Sequence, residues 1–152
     1  MLFHASCVAL GGSGLLLLGA PGAGKSALAL RLMERGWMLV ADDQVEISAA
    51  SGNLTASPAP SLAGMVEIRG LGVFHSVPFA PARLAAVARL RPMAEIARLP
   101  SPLRWSAPGL ELGQDLPEFA LDPLDPAAPE KAAWALRAAR GELRQTAGAF
   151  SA

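Results

Sequence analysis

Apolar runs separated by glycines set the pattern of the first half of the chain. FHASCVAL (3–10) and GLLLLG (14–19) flank GGS, which predicts two strands joined by a tight turn. In SALALRLMER (26–35) Leu28, Leu32 and their neighbours share one helical face. This predicts a helix from Lys25 to Arg35, stopped by Gly36. WMLVA (37–41) predicts a short buried strand ending in Asp42-Asp43, and QVEIS and NLTAS flank a turn at 50–52 as a hairpin would. VEIRGLGVFHSVPF (66–79) reads as extended chain interrupted by glycines. ARLAAVARL (82–90) fits a helix by propensity and a strand by context.

The second half is punctuated by proline. Pro100, Pro102, Pro108, Pro117, Pro123, Pro126 and Pro129 exclude a long helix over 100–129 and leave short strands or loops. PEKAAWALRAARGEL (129–143) then predicts a helix with proline in its first turn and Gly141 near its end. The order strand, glycine-rich loop, helix, strand gives an α/β core with a mixed sheet. No repeat or linker divides the chain, so residues 1–145 form one domain and 146–152 a frayed tail.

Composition narrows the function classes. Of 152 residues, 52% are hydrophobic and 17% charged, which is enough apolar material for one core. The formal net charge is zero and no basic run stands out, which argues against a nucleic-acid partner. Cys7 is the only cysteine, so no intrachain disulfide forms, a reducing compartment is expected, and Cys7 itself reads as a small buried side chain. Residues 1–14 carry no Lys or Arg and the leucine run is four long. That is too short for a signal core or a membrane span, so a cytoplasmic location away from the membrane follows.

The candidate chemistry begins at residues 19–26, GAPGAGKS, directly after the leucine run. Gly19, Ala20, Pro21, Gly22, Ala23, Gly24, Lys25 and Ser26 satisfy the G-x-x-x-x-G-K-[ST] spacing of a phosphate loop. Glycines let the backbone curl so that N–H groups point at phosphate oxygens, and the helix that follows adds its positive end. Lys25 supplies a point charge to the terminal phosphates and Ser26 a hydroxyl to Mg²⁺. The bland alternative, a chance glycine turn, would arise in roughly one random chain of this length in a few hundred.

Asp42 and Asp43 end the strand after the loop's helix, which can bring them beside the phosphates. One carboxylate there suits a metal and the other a proton from an attacking hydroxyl; a solvated turn or helix cap is the alternative. Glu67, with Arg69 and two glycines nearby, is a candidate second magnesium ligand or an exposed strand position. His4 in an apolar strand is either packed or functional, and His75 is a weaker candidate.

In order, these residues resemble the catalytic domain of the bacterial HPr kinase/phosphorylase family. A histidine opens the first strand, GAPGAGKS follows, RGWMLVADDQVEI is close to R-G-H-x-L-V-A-D-D-x-V-x-I, and EIRGLGV (67–73) matches E-I-R-G-L-G-[IV]. His4 lies 21 residues before Lys25 and Asp43 lies 18 after it. The likeness covers 3–77. It implies an ATP-dependent protein kinase acting on a serine of the phosphocarrier HPr, on a phosphate-loop kinase fold like that of phosphoenolpyruvate carboxykinase. It also implies Asp43 as the base, Lys25 on phosphate, Ser26 and Glu67 on Mg²⁺, His4 in the active site, and a hexameric assembly. The family's active-site arginine finds its nearest counterpart in Arg98 (ARLP), with Arg91 and Arg104 as competitors.

Two departures qualify the resemblance. His4 stands almost at the first residue, so a short form of the alphaproteobacterial type, without the separate N-terminal domain, is expected. The family's Pro-Val-x-x-Gly-Arg dephosphorylation loop should fall near 122–127, where this chain reads DPLDPA. That weighs against the phosphorylase half of the activity. A small-molecule kinase would want an arginine-rich lid, for which Arg83, Arg89 and Arg91 are candidates. A non-catalytic nucleotide-binding regulator would have no physical reason to keep Lys25, Ser26, Asp43 and Glu67 together.

Overall fold

The computed structural model describes residues 1–110 and 114–151. The chain forms β1 (Leu2–His4), β2 (Ser6–Leu10), β3 (Ser13–Leu18), α1 (Lys25–Met33), β4 (Met38–Ala41), β5 (Gln44–Ala50) and β6 (Asn53–Pro58). It continues through β7 (Val66–Ile68), β8 (Gly72–Phe74), β9 (Ala82–Leu90), β10 (Leu103–Trp105), β11 (Leu116–Leu121) and α2 (Ala128–Ala139). The expected α/β architecture with a mixed sheet is present. β1-β5-β6-β9-β3-β2-β4 lie side by side, β11 joins β9, and β10 joins β11. β3 and β11 run parallel to β9, while β6 runs antiparallel to it. β7 and β8 form a separate hairpin.

The leucine run shows how the sheet is buried on both faces. Side chains alternate along a strand, so Leu15 and Leu17 join Leu28, Leu32, Ala132 and Leu136 in the core beneath the two helices. Leu16 faces the other way, into a core with Val40, Ile47, Leu54 and Trp105. The ambiguous segment 82–90 is a strand. It is bordered by β3 along one edge and by β6 and β11 along the other, and that pairing overrides the helix propensity of its alanines. Ala86 and Ala88 lie in the core under the helices.

Two expectations change. FHASCVAL is two strands: β1 pairs with β5, whereas β2 pairs with β3 and β4. The break falls at Ala5, whose N–H donates to the Asp43 carbonyl at 3.2 Å. Of the closing segment, expected to fray, residues 146 and 147 are exposed and residues 148–150 pack. Phe150 lies 5.6 Å from Phe119 between ring centroids, and both it and Ala149 are half-buried against the core under the helices, because an aromatic ring close to an apolar core gains more by docking than by exposure. Ala152, the last residue of that segment, lies outside the described residues. Among the described residues no helix is long and apolar enough to cross a membrane.

Candidate nucleotide site

The loop 19–24 leaves the end of β3 and enters α1. Gly22 and Gly24 have φ of 81° and 103°, a left-handed backbone that side chains disfavour. A Cβ on Gly24 would also stand 3.1 Å from Cγ of Pro123, and one on Gly19 would stand 2.9 Å from Cβ of Ala23. Both ends of the loop therefore need glycine. Gly24 caps α1 without a side-chain hydrogen bond, and the first turn carries no acid. The opening N–H groups are thus left to an anion. Lys25 reaches back over the loop, its Nζ donating to the carbonyls of Gly19 (2.7 Å) and Ala20 (3.2 Å).

The helix and the acidic pair are joined by one carboxylate oxygen. Oδ1 of Asp42 accepts hydrogen bonds from Ser26 Oγ at 2.7 Å and from Ser6 Oγ at 2.8 Å. Asp42 is 8% exposed and Ser6 fully buried. The Ser6 hydroxyl in turn accepts a bond from the Asp43 N–H at 3.3 Å. Ser6 was not among the candidates read from the sequence. Its signal is faint: one hydroxyl at the head of an otherwise apolar strand. Asp43 is exposed and adopts a φ of 67°, a strained conformation that Asp tolerates better than most residues. Two adjacent carboxylates thus have two environments, one buried and bonded and the other open to solvent.

His4 is exposed at the end of β1 and, with Leu18, Gly19, Ala20, Arg89 and Arg91, lines a cleft of about 420 Å³ beside the loop. Arg89 is engaged by both carboxylate oxygens of Glu118, at 3.1 and 3.3 Å. Among the described residues the Arg91 side chain has only a long contact, 3.9 Å, to Glu95. Arg98 is exposed on the segment after the 3₁₀ turn at Met93–Glu95 and does not line this cleft. Arg104 lines a different one. Of the three competing arginines, Arg91 is the one brought beside the phosphate loop.

Glu67 is exposed on β7, a strand close to α1. Ser26 itself bonds to Asp42, and among the described residues no three His, Cys, Asp or Glu side chains cluster as a metal site. The Ser26 hydroxyl and the Asp42 carboxylate are hard oxygen donors of the kind Mg²⁺ takes, so the donor set fits that ion.

The DPLDPA segment lies against the loop through Pro123. Arg31 of α1 secures it by donating to the carbonyls of Pro123 (2.8 Å), Asp125 (3.3 Å) and Pro126 (3.2 Å). The Lys131 ammonium and, secondarily, the Ala127 N–H hold the Asp125 carboxyl below the usual range. Cys7 is buried as expected, and burial pushes its thiol up.

A family model described as the HPr Serine kinase C-terminal domain matches residues 1–78. An HPr kinase/phosphorylase of Clostridium tetani is 46% identical over 70 residues, 46% of this chain and 23% of that protein. One of Treponema pallidum is 38% identical over 106 residues, 68% of this chain and 32% of that protein. This chain therefore spans between about a quarter and a third of the length of these relatives. The solved structure of the Hpr(Ser) kinase/phosphatase from Coxiella burnetii superposes with a TM-score of 0.76 over 93% of this chain and 97% of that one, at 22% identity. The shared fold thus extends through the second half, where sequence likeness is thin. By the match over its first 78 residues, the chain belongs to the HPr serine kinase C-terminal domain family.

Proposed function

We propose that the chain is an ATP-dependent serine protein kinase acting on an HPr-type phosphocarrier. It would do so as one catalytic domain on a phosphate-loop kinase fold of the phosphoenolpyruvate-carboxykinase type. The observation that carries this reading is the Ser26–Asp42 bond of 2.7 Å. It ties the first turn of the phosphate-loop helix to the strand end that presents Asp43.

In this reading the N–H groups of 19–26 and Lys25 hold the β and γ phosphates. Ser26, Asp42 and Glu67 would hold Mg²⁺, which when bound would neutralise charge on the phosphates. Asp43 takes the proton of the incoming seryl hydroxyl. The seryl oxygen bonds to the γ phosphorus as the bond to the ADP oxygen breaks. Exposure of Asp43 leaves it accessible to a side chain carried on another protein. His4 and Arg91 flank the cleft the transferred group occupies, and Arg91 takes the part expected of Arg98. The relatives' names pair the kinase with a phosphorylase or phosphatase activity. Dephosphorylation is left out of the proposal because DPLDPA lacks the Gly and Arg of the family loop. The partner is a small carrier protein, and a homo-hexamer in the cytoplasm is the assembly the family suggests.

The test is transfer of labelled γ-phosphate from ATP to an HPr-type carrier and, in parallel, to a panel of small metabolites. Label on a seryl residue of the carrier supports the proposal. Label only on a metabolite would establish a small-molecule kinase, and tight ATP binding without transfer would establish a regulator.

A further inference from the structure

A second basic cleft stands at the opposite end of the central strands. The phosphate loop follows the carboxyl end of β3, whereas Ser13 at its start is paired with Arg83 at the start of β9. Six strand residues separate the two ends, about 17 Å at the usual rise. Around Ser13 lies a depression of about 410 Å³ lined by Gly12, Arg83, Arg104, Asp115 and Arg140 among others. Its three arginines come from β9, β10 and the end of α2.

The charges in this cleft are unequally matched. Arg104 donates to the Asp115 carbonyl at 2.8 Å. Arg140 pairs with Glu142 at 2.9 Å and leans over the Gly11 turn, its NH1 3.4 Å from the Leu10 carbonyl. Arg83 is exposed and makes no side-chain hydrogen bond or ion pair among the described residues. Among the described residues the opposing carboxylates are Asp115, whose Oδ1 accepts the Ser106 hydroxyl at 2.6 Å, and, outside the lining, the Glu142 that pairs with Arg140. Among the described residues one positive charge is left over, and like charges held in one concavity attract an anion that can bridge them. Planar guanidinium groups favour the paired oxygens of a phosphate. A cavity of a few hundred Å³ suits a small molecule rather than a polymer.

We propose that this cleft binds a small anion through a doubly charged phosphate group, with Arg83 as its principal contact and Arg104 and Arg140 as the flanks. The site is separate from the nucleotide cleft and does not depend on the kinase reading.

Calorimetric titration of the full chain with inorganic phosphate and with glycerol 3-phosphate tests it. Both are run in the presence of a saturating non-hydrolysable ATP analogue, so that the phosphate loop is occupied. One equivalent of probe should bind, and Arg83→Ala should weaken it about tenfold while affinity for the ATP analogue is unchanged. Tighter binding of the ester marks a metabolite as the ligand and equal binding marks free phosphate; either sustains the site. Because Arg83 is exposed and unbonded, that variant keeps its fold. Loss of probe binding once the analogue fills the loop would overturn the proposal. So would undiminished binding in the Arg83→Ala/Arg140→Ala variant.

Discussion

The two ends of β3 make anion-facing clefts by opposite means. At the carboxyl end the backbone does the work. Left-handed glycines at 22 and 24 open the loop, and an uncapped helix start offers its N–H groups. At the amino end, arginines from three separated elements meet in one depression. A backbone nest is contiguous in sequence and demands particular residues at fixed spacing. A side-chain cleft can be assembled from anywhere in the chain. The first is rigid and selective for phosphate geometry, whereas the second depends on where long, flexible side chains settle.

That contrast can be broken most severely at the nest. Lys25→Ala should lower phosphotransfer by about 10²–10³-fold, the usual loss for one preorganised charge donor. Binding of phosphate at the amino-end cleft should persist in the same protein. If both disappeared together, the two clefts would not be independent. Arg91→Ala should lower phosphotransfer more than Arg98→Ala, since of these two Arg91 lines the cleft beside the loop and Arg98 does not. Equal losses, or a larger one at Arg98, would restore the family-based assignment.

The buried junction behind the nest gives a smaller, structural effect. Asp42→Ala leaves the Ser6 and Ser26 hydroxyls without their shared acceptor. It should cost about 1–3 kcal/mol of stability, read as a lower denaturant midpoint. An unchanged midpoint would mean that the shared bond contributes nothing.

The smallest effect concerns the proline segment beside the loop. Asp125 is held below its ordinary pKa by Lys131 and the Ala127 N–H. Its contribution to stability is therefore complete above the unfolded value of about 3.9 and is lost as pH falls through the lower folded value. Thermal midpoints measured between pH 6 and pH 2 should fall less steeply in Asp125→Asn than in the unaltered chain below about pH 4. Parallel curves would remove Asp125 from the account.

How much was legible in the sequence follows the same division. The strand–loop–helix unit, the 44–57 hairpin and the proline-led final helix could be read because glycine, proline and apolar periodicity act locally. β9 could not be assigned, because its alanines favour a helix and only pairing with β3 and β11 makes it a strand. The break at Ala5 and the docking of Phe150 depend on partners far along the chain. At the candidate site, Lys25, Ser26 and the acidic pair were legible by spacing. The different environments of Asp42 and Asp43, and the buried Ser6 behind them, required the folded backbone. That Arg91, of the three arginines considered, lines the cleft beside the loop could be read only from the folded end of β9.

Everything proposed for catalysis rests on the exposed Asp43 carboxylate that follows the Asp42 bonded to Ser26. The direct measurement compares Asp43→Asn with the unaltered chain, following γ-phosphate transfer to a carrier serine and ATP affinity on the same samples. The account predicts a fall in turnover of about 10²–10⁴-fold with ATP affinity and thermal midpoint retained. Full turnover in that variant would contradict it.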